Sequence, residues 1–366
     1  MKPKTSASIG ILIFLFLLDT SIMGKIRKTS GLVLSSQKNV WLVQESGSTA
    51  SLRGVCAVSD RVAWASGSGG TFLRTTDGGE HWTSVQINEA ADSDFRDIEA
   101  FDSKNALLLA AGKPARIYKT TNGGLNWKEV YHNDSEGIFL DAFAFFDEKN
   151  GIAVGDPMEG RFFVLQTSDG GLTWKRIPAS NIPVSLPGEA CFAASGTCLT
   201  VQGSQIACFC TGGAVSRVFY SKNGGWTWNV TLSPLGDQSA SSGGFSIAFD
   251  HAGKNAVIVG GDYRKETAVF KNAALSLDGG RSWILVEEHP PAGFRECVVL
   301  VPGIKSTTFV SVGPSGSDVS TDGGQNWNPL DGPTGIHALS ICKTEPVGWA
   351  VGKNGLMAKF IFYKKL

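Results

Sequence analysis

The chain has 366 residues, enough for one large all-β domain or two ordinary ones, and 42% of them are hydrophobic. Lys plus Arg and Asp plus Glu are both 33, so charge gives no footprint for nucleic acid or a polybasic membrane contact. With 18% charged residues and 45 glycines in no Gly-X-Y period, a coiled coil, a disordered tail and collagen are excluded, and many tight turns are expected.

Residues 1–24 read as a signal peptide. Lys2 and Lys4 precede an apolar run at 9–18 that is short for a membrane span. Lys25, Arg27 and Lys28 follow it, so an uncleaved N-terminal anchor is the alternative and would be the sole membrane contact. Residues 25–37 read as a linker and 38–366 as a single folded domain. Export makes the expected location secreted, periplasmic or lumenal.

Within 38–366 one octapeptide, Thr/Ser-x-Asp/Asn-Gly-Gly-x-x-Trp, recurs six times, at 75–82, 120–127, 167–174, 221–228, 276–283 and 320–327. Its third position is Asp77, Asn122, Asp169, Asn223, Asp278 and Asp322, and its last is Trp82, Trp127, Trp174, Trp228, Trp283 and Trp327. Asp or Asn followed by Gly-Gly is turn chemistry: the side chain bonds backbone N–H groups ahead of it, and glycine takes positive φ without a clash. The flanks are strand formers, so each copy reads as a β-hairpin turn whose Trp fills space beside the next blade.

A seven-residue strand motif stands upstream of each turn, starting at Leu52, Phe95, Phe139, Gly188, Gly243, Phe294 and Ile336. Ala57, Ala100, Ala144, Ala193 and Ala248 share its sixth position, which suits a strand crowded near a central axis. Each unit reads strand, strand, strand, turn, strand over about 47 residues, the pattern of a β-propeller. The fold expected is all-β: a seven-bladed propeller of four-stranded blades. The seventh unit lacks the octapeptide, and residues 39–44 form an orphan strand. That strand is expected to close the ring as the outer strand of blade seven, removing a free edge.

The octapeptide resembles the Asp box of bacterial-neuraminidase repeats. Six such boxes after an export segment resemble the photosystem II stability/assembly factor-like family of seven-bladed propellers. The phrases Leu186-Pro187-Gly188-Glu189 and Gly313-Pro314-Ser315-Gly316 are similar to a non-photosynthetic branch labelled "oxidoreductase" or "glycosyl hydrolase". The resemblance implies the architecture and is nearly silent on activity.

If each first strand runs from top to bottom, the octapeptides lie on the bottom face and the motif starts line the top. There the second motif position offers Arg53, Arg96, Glu189, Arg295 and His337 beside Leu140 and Gly244; the next position adds Asp97, Asp141 and Glu296. Neighbouring loops add Asp156, Asp262, Tyr263 and Arg264. Three arginines at one register position are expected to make a cationic hollow for an anionic, carbohydrate or protein ligand. The function expected is an exported, monomeric binding or assembly scaffold. The alternative is a sialidase-like glycoside hydrolase, with the arginines on a carboxylate and Tyr263, Glu189 and Asp141 as the reacting groups. No Gly-x-Gly-x-x-Gly opens a helix, no Cys-x-x-Cys-His is present, and neither the five histidines nor the seven cysteines have metal-ligand spacing. No cofactor and no metal are expected.

Overall fold

The computed structural model describes residues 40–236 and 238–362; the signal segment at 1–24 and the linker at 25–37 lie outside the described residues. Seven antiparallel sheets follow one another along the chain. In blade one the strands Leu52–Ala57, Ala63–Gly67, Thr71–Thr75 and Thr83–Gln86 run outward in that order. The innermost strands of the other blades are Asp94–Ala100, Leu140–Phe145, Leu199–Gln202, Ser242–Phe249, Cys297–Leu300 and Ile336–Ile341. Each touches the next, and the last returns to the first, so the ring is closed. Helical content among the described residues is three short 3-10 turns.

Closure is made as the orphan strand implied. Trp41–Gln44 pairs antiparallel with Met357–Ile361, Trp41 opposite Phe360 and Gln44 opposite Met357. Trp41 buries its ring on Phe360, with centroids 4.8 Å apart. Gln44 Oε1 accepts the indole N–H of both Trp82 and Trp349, each at 3.1 Å, and so ties blade one to blade seven.

The innermost strands approach so closely that long side chains do not fit between them. A Cβ on Gly54 would lie 3.0 Å from the backbone of Asp97 in the next blade. Short polar side chains bridge the remaining gaps. Ala57 N–H donates to Ser340 Oγ at 3.0 Å, Phe143 N–H to Asp97 Oδ2 at 2.9 Å, and Val298 N–H to Ser246 Oγ at 2.8 Å. The thiols of Cys56 and Cys297 donate to the carbonyls of Ala100 and Leu339. All seven cysteines are free thiols, and six of them are buried.

The octapeptides join third to fourth strands and share one hydrogen-bond pattern. The leading hydroxyl of Thr75, Thr120, Thr167, Ser221, Ser276 or Ser320 accepts the N–H of the second glycine. The third residue accepts the N–H four positions on, as Asp169 does from Thr173 at 2.9 Å. The second glycine has positive φ and presses on the preceding blade; a Cβ on Gly171 would sit 2.3 Å from Leu107. The tryptophans follow it, which corrects the expected neighbour. Trp82 packs edge-on against Trp349 of blade seven, and Trp127 against Trp64 and Phe72 of blade one, in each case the preceding blade. Strand twist tilts each outer hairpin back over the blade before it. Trp174, Trp228 and Trp327 are buried, while Trp82, Trp127 and Trp283 are half-buried.

Trp327→Ala should therefore destabilise the domain by about 3–5 kcal/mol in urea unfolding. Leu125→Ala, also in an octapeptide but 82% exposed, should stay within about 0.5 kcal/mol of the parent.

The turns also predict a response to acid. Hydrogen bonds from the Thr173 hydroxyl and N–H hold the Asp169 carboxyl down at about 2. A folded-state pKa below the unfolded one means stability that is present above the unfolded value of about 3.9 and lost as pH falls through the folded one. Comparing the chain with Asp169→Asn across this range, the stability difference should begin to shrink below about pH 5 and be gone by about pH 1.

Candidate functional site

Five of the seven innermost strands carry a β-bulge at the top, with register shifts at Leu52/Gly54, Phe95/Asp97, Leu140/Ala142, Gly244/Ser246 and Ile336/Ala338. The unpaired residue at each is Arg53, Arg96, Asp141, Phe245 and His337. Glu296 takes the corresponding place in blade six, its N–H donating to Val312 O. This corrects the sequence register by one residue in blades three, five and six, where Leu140, Gly244 and Arg295 were expected at that position. A bulge inserts one residue and breaks the period of two on which the alignment rested. In blade four the correction is larger. Residues 188–194 are not its innermost strand; Glu189–Ala190 pairs instead with Gly212–Gly213, on the sheet of blade five.

The expected cationic hollow is not formed. Arg295 is 2% exposed and turns away from the mouth: its Nε lies 2.6 Å from Asp318 Oδ2, and Nη1 donates to Ser315 Oγ and Phe294 O. Arg53 Nη1 lies 3.7 Å from Glu296 Oε2, and burial draws its pKa down. Glu296 Oε2 is also 2.8 Å from His337 Nδ1. Arg96 Nε reaches Asp94 Oδ2 at 2.6 Å, and its Nη1 donates to Ala193 O at 2.8 Å. Glu189 is buried in a two-pronged pair with Arg217, at 2.9 and 2.5 Å, and accepts the Thr211 hydroxyl. On the blade-five loop Asp262 pairs with Lys265 at 3.2 Å, while Arg264 stacks over the exposed Tyr263 ring.

The acids near the axis are covered. Asp97 accepts the N–H groups of Ile98 and Phe143, yet burial pushes its carboxyl up to about 8. Asp156 accepts Cys191 N–H at 2.9 Å and is raised by burial to about 6. Asp141 is wholly buried, and neither carboxyl oxygen has a partner; burial and then Asp156 raise it well above the ordinary range.

The cover is the link between blades three and four. It spans 177–198, where the preceding links are only 87–93 and 134–139. Its end crosses the mouth. The Phe192 ring stacks on Phe245 of blade five at 4.0 Å and 3°. Ala193 O meets Arg96 of blade two, and the Ser195 hydroxyl donates to Glu296 O of blade six at 2.9 Å. The Thr197 and Ser246 hydroxyls are 2.6 Å apart. Even the glycine is required: a Cβ on Gly196 would fall 2.2 Å from Asp97 Oδ1. Sequence reasoning missed this segment, and with it Asp94, Arg217, Phe245 and Asp318. The unusual length of the link was the available signal.

On the opposite face, Asp77, Glu80 and His81 bring their ligand atoms within 4.8 Å of one another. The Asp77 oxygens are already taken by Thr75, by His81 N–H and by the His81 ring, so this group serves the turn.

Fold and rim together define a closed seven-bladed propeller whose mouth charges are internally paired. Residues 33–135 match the model of a family described as photosynthesis system II assembly factor YCF48. Among solved structures, YCF48 bound to D1 peptide is similar over 90% of this chain and 99% of that one, at 14% identity and TM-score 0.62. YCF48 from Cyanidioschyzon merolae is similar over 88% and 98%, at 15% identity and TM-score 0.62. An ancestral GH74 enzyme is similar over 87% of this chain and 46% of that one, at 14% identity and TM-score 0.61. No curated protein matches. The likeness to the photosystem II assembly-factor propellers thus rests on a sequence match at the N-terminal blades and on the fold of the whole ring.

Removing Arg295 leaves Asp318 buried and uncompensated. Arg295→Ala should cost about 3–5 kcal/mol in chemical unfolding, and Arg295→Met with Asp318→Leu should recover most of it. Arg53→Ala, at the wetter end of the rim, should cost no more than about 1 kcal/mol.

Proposed function

We propose that this protein is an exported scaffold that binds a segment of a partner protein on its top face. The observation that carries this reading is the blade-five loop at 262–271. It exposes Tyr263 at 42% and Phe270 at 55%, with Val269 between them in sequence and exposed as well. Arg264 and Lys271 lie over the two rings, and neither has an acid partner among the described residues. Aromatic faces flanked by uncompensated cations suit a peptide that offers apolar and acidic side chains. A similar propeller, YCF48, has been seen with a D1 peptide bound, which supports a peptide as the ligand class here. No helix among the described residues is long and apolar enough to cross a membrane.

A glycosidase would need two carboxyl groups across an open cleft. Asp97, Asp141 and Glu296 are buried at the mouth, and Glu189 is locked to Arg217, so the geometry favours the scaffold.

The test is a peptide array of graded charge and aromatic content, probed with the parent and with Tyr263→Ala/Arg264→Ala/Phe270→Ala. Acidic apolar peptides should bind the parent and lose at least about tenfold in affinity, roughly 1.4 kcal/mol, in the variant. Equal binding by a folded variant would remove the loop from the site.

A further inference from the structure

A wholly buried carboxyl with both oxygens unpartnered is costly in its ionised form, and Asp141 is in that position directly within reach of the crossing segment. The groups that face it are Asp156 from its own blade, Arg96 from blade two, and the thiols Cys191 and Cys198 from the segment itself. Asp97, on the strand that carries Arg96, holds its oxygens to the N–H groups of Ile98 and Phe143. Arg96 is the one cation of this set, and it is already committed to Asp94 and to the Ala193 carbonyl. Closing the mouth therefore leaves Asp141 no compensating charge of its own.

The segment is also held as a separate peptide would be. One backbone carbonyl accepts from Arg96, one aromatic ring stacks on Phe245, and one hydroxyl donates to the Glu296 carbonyl. The C-terminal end is anchored by backbone instead, Thr197 O accepting Ile247 N–H at 3.0 Å and Cys198 O accepting Cys210 N–H at 2.9 Å, so the part that a chain from outside could replace is 192–196.

We propose that residues 192–196, hinged at Thr197 and Cys198, are a pH-sensitive plug, which fills the mouth while the Asp141 carboxyl beneath it is protonated and yields the mouth to a partner peptide when Asp141 ionises. The proton passes to water, and Arg96, released from Ala193, becomes the counter-charge for the carboxylate. The peptide that fits the vacated place carries an aromatic residue followed by small ones, as Phe192-Ala193-Ala194-Ser195 does. The identity of the occupant rests on the scaffold reading above; the opening of the plug does not.

The experiment is hydrogen exchange read by mass spectrometry on the full chain without partner, from about pH 5 to about pH 10, the span in which buried carboxyls titrate, corrected for intrinsic exchange. Amides of 192–196 should lose about tenfold in protection across that range, while the innermost strands of blades one and seven keep theirs. Asp141→Asn should abolish the response and stay protected throughout. Asp156→Asn should move the midpoint to lower pH, because it removes the negative charge that opposes ionisation. Constant protection in the parent, a response that survives in Asp141→Asn, or an unmoved midpoint in Asp156→Asn would each overturn the plug. The Asp156 variant decides the matter if Asp141→Asn does not fold. Since no partner is present, failure here leaves the peptide-binding reading to its own array, and failure there leaves the plug intact.

Discussion

Everything in this propeller depends on how closely its innermost strands approach one another. Where Gly54 passes Asp97, no side chain can intervene. A backbone brought that near another must still satisfy its polar groups. The short side chains of Asp97, Ser246 and Ser340 and the thiols of Cys56 and Cys297 do so by bonding directly to the neighbouring blade. The ring is thus sewn at its axis by polar pegs, while apolar packing holds it farther out. The second glycine of each octapeptide answers the same constraint at the rim, where the turn presses on the preceding blade.

That geometry also shapes the mouth. Strands this crowded cannot all end in step, and in five blades a bulge at the top turns one side chain toward the axis. The side chains so placed are of both signs, and they find each other. Arg53, Glu296 and His337 form one group and Arg96 and Asp94 another. A mouth lined by paired charges offers little to a free anion. The cations that remain uncompensated lie outside it, on the blade-five loop.

Blade four breaks the pattern. Its innermost strand starts late, at Leu199, because the chain first crosses the opening. The crossing brings polar atoms of blades two, five and six onto one short segment, and it buries Asp141 beneath that segment. A ring assembled from equivalent units has acquired at one joint an element that belongs to none of them.

The repeat alone was enough to read the number of blades, the turns on one face and the closing strand. Turn chemistry and strand alternation are local, and a pattern repeated six times leaves few folds that fit it. The tryptophans were legible as packing residues, but not the side on which they pack, because the direction in which one blade leans on another is written in no single unit. The rim was read less well. Arg53, Arg96 and His337 stand at the unpaired position of their strands, whereas in blades three, five and six that position falls one residue after Leu140, Gly244 and Arg295, an offset that leaves the hydrophobic pattern almost unchanged while shifting what faces the axis. The partners Asp318 for Arg295 and Arg217 for Glu189 lie 23 and 28 residues away in sequence. Only the closed ring could set the segment 191–198 over Asp141, because that contact joins four blades and exists nowhere in the chain until all of them are in place.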